Sequence, residues 1–166
     1  MVFLNETEIP LARREQPELS PLPSAEQKRQ LDVFKVRLHE EILRSQRRNY
    51  TFSLIRLAVG SEQNAKDESS EFLELLRSII REYDILCSVK QGQYAIAFPE
   101  TTGETANQIA ARLKETVLRK LWADAVSDAL EPLIGIACFP KDGTTAEDLL
   151  KSAEAWEPNE SDALPP

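Results

Sequence analysis

Asp84-Ile85-Leu86-Cys87-Ser88-Val89-Lys90-Gln91-Gly92-Gln93-Tyr94-Ala95-Ile96-Ala97-Phe98-Pro99-Glu100-Thr101 has the pattern of a β-hairpin. Two runs rich in apolar and β-branched or aromatic residues, Ile85 to Val89 and Tyr94 to Phe98, flank the polar residues Lys90 to Gln93. This pattern predicts two strands around a tight turn, the second strand stopped by Pro99. If Gln91-Gly92 only closes the hairpin, Gln93 is an ordinary turn residue. Its replacement by alanine should then change stability by less than about 0.5 kcal/mol.

Upstream of the hairpin, Phe72, Leu75, Leu76, Ile79 and Ile80 recur at i, i+3, i+4, i+7 and i+8, which predicts an amphipathic helix over 70–82. Before it, Phe52 to Val59 reads as a strand and Gly60 to Ser69 as a polar loop. Ser24 and Gln27 have the spacing of a capping box. Leu31, Phe34, Leu38 and Ile42 then carry a helix to about Arg47. Downstream, Thr101 and Glu104 read as a second capping box for a helix bearing Ala106, Ile109, Ala110, Leu113, Val117 and Leu121. Leu133 to Pro140 is a strand turned by Lys141-Asp142-Gly143. Thr144 and Glu147 cap a last helix with Leu149, Leu150, Ala153 and Trp156 on its apolar side. The order helix, strand, helix, strand, strand, helix, strand, helix predicts an α+β domain with helices against a mixed or antiparallel sheet.

Composition narrows the function. A chain of 166 residues with 42% apolar and 29% charged residues suits one globular domain with a real core. A net charge of −8 argues against general affinity for nucleic acid or anionic lipid, whose phosphates require surplus Lys and Arg. No apolar run is long enough to cross a membrane, and Met1-Val2-Phe3-Leu4-Asn5-Glu6 lacks the order of a secretion signal, so the expectation is a cytoplasmic protein without membrane insertion. Cys87 and Cys138 sit in apolar runs without metal-type spacing and read as buried reduced thiols. With His39 the only histidine, a His-ligated metal or a Ser/His/Asp triad has little to work with. Glu40/Glu41 and Glu71/Glu74 read as solvated pairs on polar helix faces. Arg44, Arg47 and Arg48 read as basic residues that favour a helix C-terminus.

Residues 31–156 resemble the diguanylate cyclase (GGDEF) family. The hairpin is similar to that family's signature hairpin, but the five signature positions here are Lys90, Gln91, Gly92, Gln93 and Tyr94. Leu133-Ile134-Gly135-Ile136-Ala137-Cys138-Phe139-Pro140-Lys141-Asp142-Gly143 resembles the family's Ser-Ile-Gly-Ile-Ala-x-Tyr-Pro-x-Asp-Gly strand. Leu149 to Trp156 is similar to its Leu-Leu-x-x-Ala-Asp helix. The resemblance implies a nucleotidyl-cyclase-like, ferredoxin-like sheet with helices packed on it, and a bacterial signalling role.

The departures from the family pattern imply lost chemistry. Active relatives hold two divalent metals with carboxylates at the first strand and in the signature turn, where the metals offset phosphate charge and activate the attacking hydroxyl. Here the strand reads Ile55-Arg56-Leu57-Ala58 and the turn Gly92-Gln93. The GTP-binding Phe-Lys-x-x-Asn-Asp stretch and the closing Gly-Arg-Asn strand are also missing. The resemblance thus implies a non-enzyme, with no catalytic residue, no metal and no cofactor.

What the resemblance retains is the inhibitory Arg-x-x-Asp site, at Arg81 and Asp84, with Arg112 at the position of the family's further arginine. These three imply a cyclic di-GMP site: a guanidinium can grip the guanine edge or a phosphate, and a carboxylate accepts from guanine N–H groups. The alternative is a ligand-free interaction module with an unknown protein partner. Residues 1–23, interrupted by Pro10, Pro17, Pro21 and Pro23, are expected to be a flexible N-terminal tail. The domain is expected over 24–157 and a flexible C-terminal tail over 158–166.

Overall fold

The computed structural model describes residues 24–59, 68–90, 92–123 and 132–154. In chain order the elements are α1 (Ala25–Arg48), β1 (Phe52–Ala58), α2 (Glu68–Ile79), β2 (Ile85–Lys90), β3 (Gln93–Phe98), α3 (Gly103–Ala123), β4 (Leu133–Phe139) and α4 (Ala146–Glu154). The four strands form one sheet in the order β2-β3-β1-β4, and every pairing is antiparallel. The order of strands and helices is the expected one.

Strand β1 is central because its residues are apolar on both faces. Ile55 pairs with Ile96 of β3 on one side and Ile136 of β4 on the other. Alternation then sorts its side chains. Phe52 and Leu54 join Phe34, Leu38 and Ile42 of α1 and Leu149, Leu150 and Ala153 of α4 in one core layer. Ile55 and Leu57 join Phe72 and Leu76 of α2 and Ala110, Leu113 and Val117 of α3 in the other. Leu38, Leu54, Ile55, Leu57, Leu76 and Leu113 are fully buried. Each such side chain contributes about 1.5–3 kcal/mol by leaving water.

Helix α1 starts as its sequence predicts: Gln27 N–H donates to Ser24 Oγ (3.1 Å), and Ser24 N–H donates to Gln27 Oε1 (2.9 Å). It ends at Asn49, whose φ of 58° puts the backbone in the left-handed region that asparagine tolerates. Helix α4 lies against β4 at Gly135, where an added Cβ would stand 1.8 Å from the Ala153 carbonyl oxygen. Only glycine permits that approach.

The two later capping boxes are displaced by one residue. The Thr105 N–H donates to Thr102 Oγ1 (3.3 Å) and the Asp148 N–H to Thr145 Oγ1 (3.1 Å), so Thr102 and Thr145 cap α3 and α4 rather than Thr101 and Thr144. Thr101 is committed elsewhere: its hydroxyl donates to Pro99 O (3.0 Å), and its carbonyl accepts from Ser53 Oγ (2.9 Å). Helix α2 begins at Glu68 and ends at Ile79, three residues before its expected end, because Asp84 closes the following turn back on Arg81. Trp156, Gln91, most of the 60–69 loop and both tails lie outside the described residues.

Glu41 corrects the expectation of a solvated pair. It is 2% exposed, accepts from Arg44 Nη1 (3.1 Å) and Tyr50 OH (2.8 Å), and joins the end of α1 to the loop before β1. Both cysteines are free; Cys87 is buried as expected, whereas Cys138 is only half-buried.

Candidate ligand site at the α2–β2 corner

The chain leaves α2 at Ile79 and enters β2 at Ile85. Between them Asp84 builds the corner: its Oδ2 accepts the backbone N–H of Arg81 at 2.7 Å, and its own N–H donates to Arg81 O at 3.1 Å. This is the local bonding by which an aspartate ends a helix and starts a turn. The Arg81 side chain folds over the same carboxylate, Nε lying 3.4 Å from Oδ2. Its Nη2 donates to Thr101 Oγ1 (3.2 Å), and its guanidinium carbon is 4.6 Å from the Tyr83 ring centroid. The Asp84 side chain is 1% exposed and that of Arg81 48% exposed. Thus the acceptor is buried, whereas the arginine is half-exposed.

Asp84 Oδ1 is buried and has no hydrogen-bond partner among the described residues. An orphaned carboxylate oxygen inside a protein is uncommon, because leaving it dry and unpaired costs free energy. Arg81, Asp84 and Arg112 border one pocket of about 240 Å³, with Ile79, Ile80, Phe98, Thr105 and Ile109 supplying the rest of its wall. Arg112 reaches it from α3, between the core residues Ala110 and Leu113. Its side chain has no hydrogen-bond or ion-pair partner among the described residues. The structure therefore brings together the three residues singled out from the sequence. Missed in the sequence were Thr101, which steadies Arg81, and Tyr83, which stacks against it. Thr101 has the spacing of a helix cap in the sequence, and an exposed tyrosine in a turn carries no signal of its own.

At the signature hairpin, Gly92 has φ 73° and its carbonyl accepts from Val59 N–H at 2.7 Å. A Cβ at that position would lie 2.8 Å from the Val59 carbonyl oxygen, a backbone atom that cannot give way. Gln93 is not an ordinary turn residue: its Oε1 accepts from Arg56 Nη2 at 3.1 Å. Arg56, 4% exposed, also donates to Leu150 O (3.4 Å) and lies 3.3 Å from Glu154 Oε2, so its cation sits between β1, β3 and α4. Burial lowers the Arg56 pKa below the ordinary arginine value, and the Glu154 carboxylate opposes that shift. Burial also pushes the nearby Cys87 thiol up to about 11, with the Arg56 charge partly opposing it. Ile55 to Ala58, Gly92 and Gln93 present no carboxylate, and a fixed guanidinium stands beside them. This donor set does not fit a divalent cation.

The chain resembles several solved structures. It is similar to a sensory box/GGDEF family protein from Caulobacter crescentus (18% identity, 72% of this chain and 84% of that one, TM-score 0.57). It is also similar to the GGDEF domain of TpbB (YfiN) from Pseudomonas aeruginosa (15% identity, 84% of each chain, TM-score 0.58). A third is the GGDEF domain of DgcB from Caulobacter crescentus in complex with c-di-GMP (10% identity, 75% of this chain and 80% of that one, TM-score 0.56). At such identities these likenesses establish the shared α+β fold. No curated protein matches this chain significantly. The family model "Diguanylate cyclase, GGDEF domain" matches residues 70–156, more than half of the chain and including the hairpin, the α2–β2 corner and β4, and the chain belongs to that family.

Proposed function

We propose that this GGDEF domain is a cyclic di-GMP receptor without cyclase activity. The observation that carries the reading is the orphaned Asp84 Oδ1 beside a pocket flanked by Arg81 and Arg112. A guanine edge supplies what that carboxylate lacks, two adjacent N–H donors. Its O6 and N7, or a phosphate oxygen, take the guanidinium groups. The apolar wall of Ile79, Ile80, Phe98 and Ile109 suits a purine face. A GGDEF domain of the same fold, that of DgcB, has been solved with c-di-GMP, which supports the ligand class.

The lack of cyclase activity rests on the donor set at the signature. Without a carboxylate on β1 or in the turn, and with Arg56 fixed against Gln93, nothing there gathers the two phosphoryl-bound cations that cyclisation uses. The domain thus senses the nucleotide rather than making it.

Calorimetric titration of the full chain with cyclic di-GMP, and with cyclic di-AMP as control, tests the receptor reading. Saturable heat with cyclic di-GMP, weakened with Arg112→Ala, is expected. Adenine presents a donor where guanine presents O6, so cyclic di-AMP should bind far more weakly. Absence of heat at high micromolar cyclic di-GMP would overturn the reading and leave a protein-interaction module in its place.

A further inference from the structure

We propose that the concavity between the C-terminal end of α1 and the α2–β2 corner docks an acidic, Asp/Glu-rich segment of a partner protein. This site is separate from the cyclic di-GMP pocket, although Arg81 borders both, and it stands whether or not the nucleotide binds.

The concavity holds about 590 Å³ and is bordered by Arg44, Arg48 and Arg81 together with Tyr50 and Tyr83. A second depression of about 360 Å³ continues from Arg44 and Arg48 along α1 to Arg47 and the 48%-exposed Leu43. Four arginines therefore outnumber the two carboxylates, Glu40 and Glu100, that share this elongated surface, on a chain whose net charge is −8. Arg47 and Arg48 have no side-chain partner among the described residues. Arg44 and Tyr50 are both held by the buried Glu41 carboxylate, so two groups at the floor are preorganised rather than loose. Burial, aided by the hydrogen bond to Glu41, raises the Tyr50 pKa, which keeps its hydroxyl neutral beside an anionic guest. At the rim, Glu100 adopts φ 51°, a left-handed conformation unusual for glutamate and of the kind that collects at binding sites.

Shape and charge select the occupant. The two depressions together are too long for a single phosphate, and they run along a helix end as an extended peptide does. Arginine and tyrosine around an open, partly apolar groove are the residue types that concentrate binding energy at protein interfaces. A long nucleic acid is disfavoured, because beyond the groove it would cross the acidic remainder of the surface. Short acidic side chains meet the arginines without that cost, and Leu43 and the tyrosine rings can cover the peptide backbone.

The test is fluorescence anisotropy with the full chain and a fluorescein-labelled hexaglutamate peptide, alongside hexaserine, a single-stranded oligothymidylate and inorganic phosphate. Hexaglutamate should bind saturably, weaken as salt is raised, and outcompete hexaserine. The double variant Arg47→Ala/Arg48→Ala should lose about tenfold in affinity, since exposed charge pairs each contribute up to about 1 kcal/mol. Arg48→Glu should abolish binding, with both variants melting as wild type does. Cyclic di-GMP affinity should be unchanged in these variants, and hexaglutamate affinity unchanged in Arg112→Ala, so the two sites fail or succeed separately. Equal binding of hexaserine, no effect of the substitutions, or preferential binding of the oligothymidylate or of phosphate would overturn the proposal.

Discussion

Asp84 accepts the backbone N–H of Arg81 on Oδ2 at 2.7 Å, while its Oδ1 is buried with no partner among the described residues. One side chain thus does two jobs that substitutions can separate. Asp84→Ala removes the acceptor that closes the α2–β2 corner and should cost about 1.5–3 kcal/mol, the range for a hydrogen bond to a charged group. Asp84→Asn keeps an oxygen for the Arg81 N–H and should melt closer to wild type, yet it places a donor or a neutral amide where guanine N–H groups would bind. Thermal melts and calorimetry on both variants check this. Equal loss of stability in the two would mean the carboxylate charge, not the bond to Arg81, holds the corner.

The Arg112 side chain has no hydrogen-bond or ion-pair partner among the described residues, so Arg112→Ala should change the melting temperature little and weaken cyclic di-GMP binding by about 1–3 kcal/mol. Arg81→Ala should weaken binding by a similar amount. Raised salt should weaken binding too, because phosphate charge is being neutralised.

Incubation with GTP and magnesium or manganese is expected to yield no cyclic di-GMP, measured chromatographically against a no-protein control. Placing a carboxylate in the turn should not restore activity. Gly92→Glu puts a Cβ 2.8 Å from the Val59 carbonyl oxygen at φ 73° and should destabilise the fold by about 1–3 kcal/mol.

Gln93 overturns the expectation of a silent turn position. Gln93→Ala takes from the buried Arg56 one of its acceptors and should cost about 1–3 kcal/mol in urea unfolding, well beyond the 0.5 kcal/mol of an exposed turn. Gln93→Glu should restore or raise stability, because a carboxylate then faces the guanidinium.

The Cys87 thiol gives a pH signature. Its folded pKa of about 11 lies above the ordinary thiol value near 9, so below pH 9 the group stays protonated in folded and unfolded chains alike. As pH rises from 9 to about 11 the unfolded chain releases this proton first and gains stability. Stability of the fold therefore declines, by about 1.4 kcal/mol per unit of pKa separation. Tyr50, also raised by burial, declines in the same direction above its ordinary value near 10. Urea midpoints across pH 8 to 11 should fall for wild type and fall less for Cys87→Ala.

The element order, the hairpin, the capped start of α1 and the Arg81–Asp84 spacing at the α2–β2 corner were legible in the chain alone. Those features are local: a helix stripe, a strand run and an Arg-x-x-Asp spacing each lie within a few residues of chain. Arg112 is not local to the corner, and it is α3 that brings it to the same pocket. Other features depended on contacts between distant segments. Thr101 lost its cap to Thr102 because its hydroxyl and carbonyl are taken up by Pro99 and Ser53, a contact 48 residues away in sequence. Glu41 looked solvated beside Glu40, but one helical position turns it inward to Arg44 and Tyr50. Gln93 looked like a turn residue until β1 brought Arg56 across the sheet to it, and Arg44, Arg48 and Arg81 became one surface only when the end of α1 met the α2–β2 corner. Burial and convergence are sums over distant segments, and no window of sequence contains them.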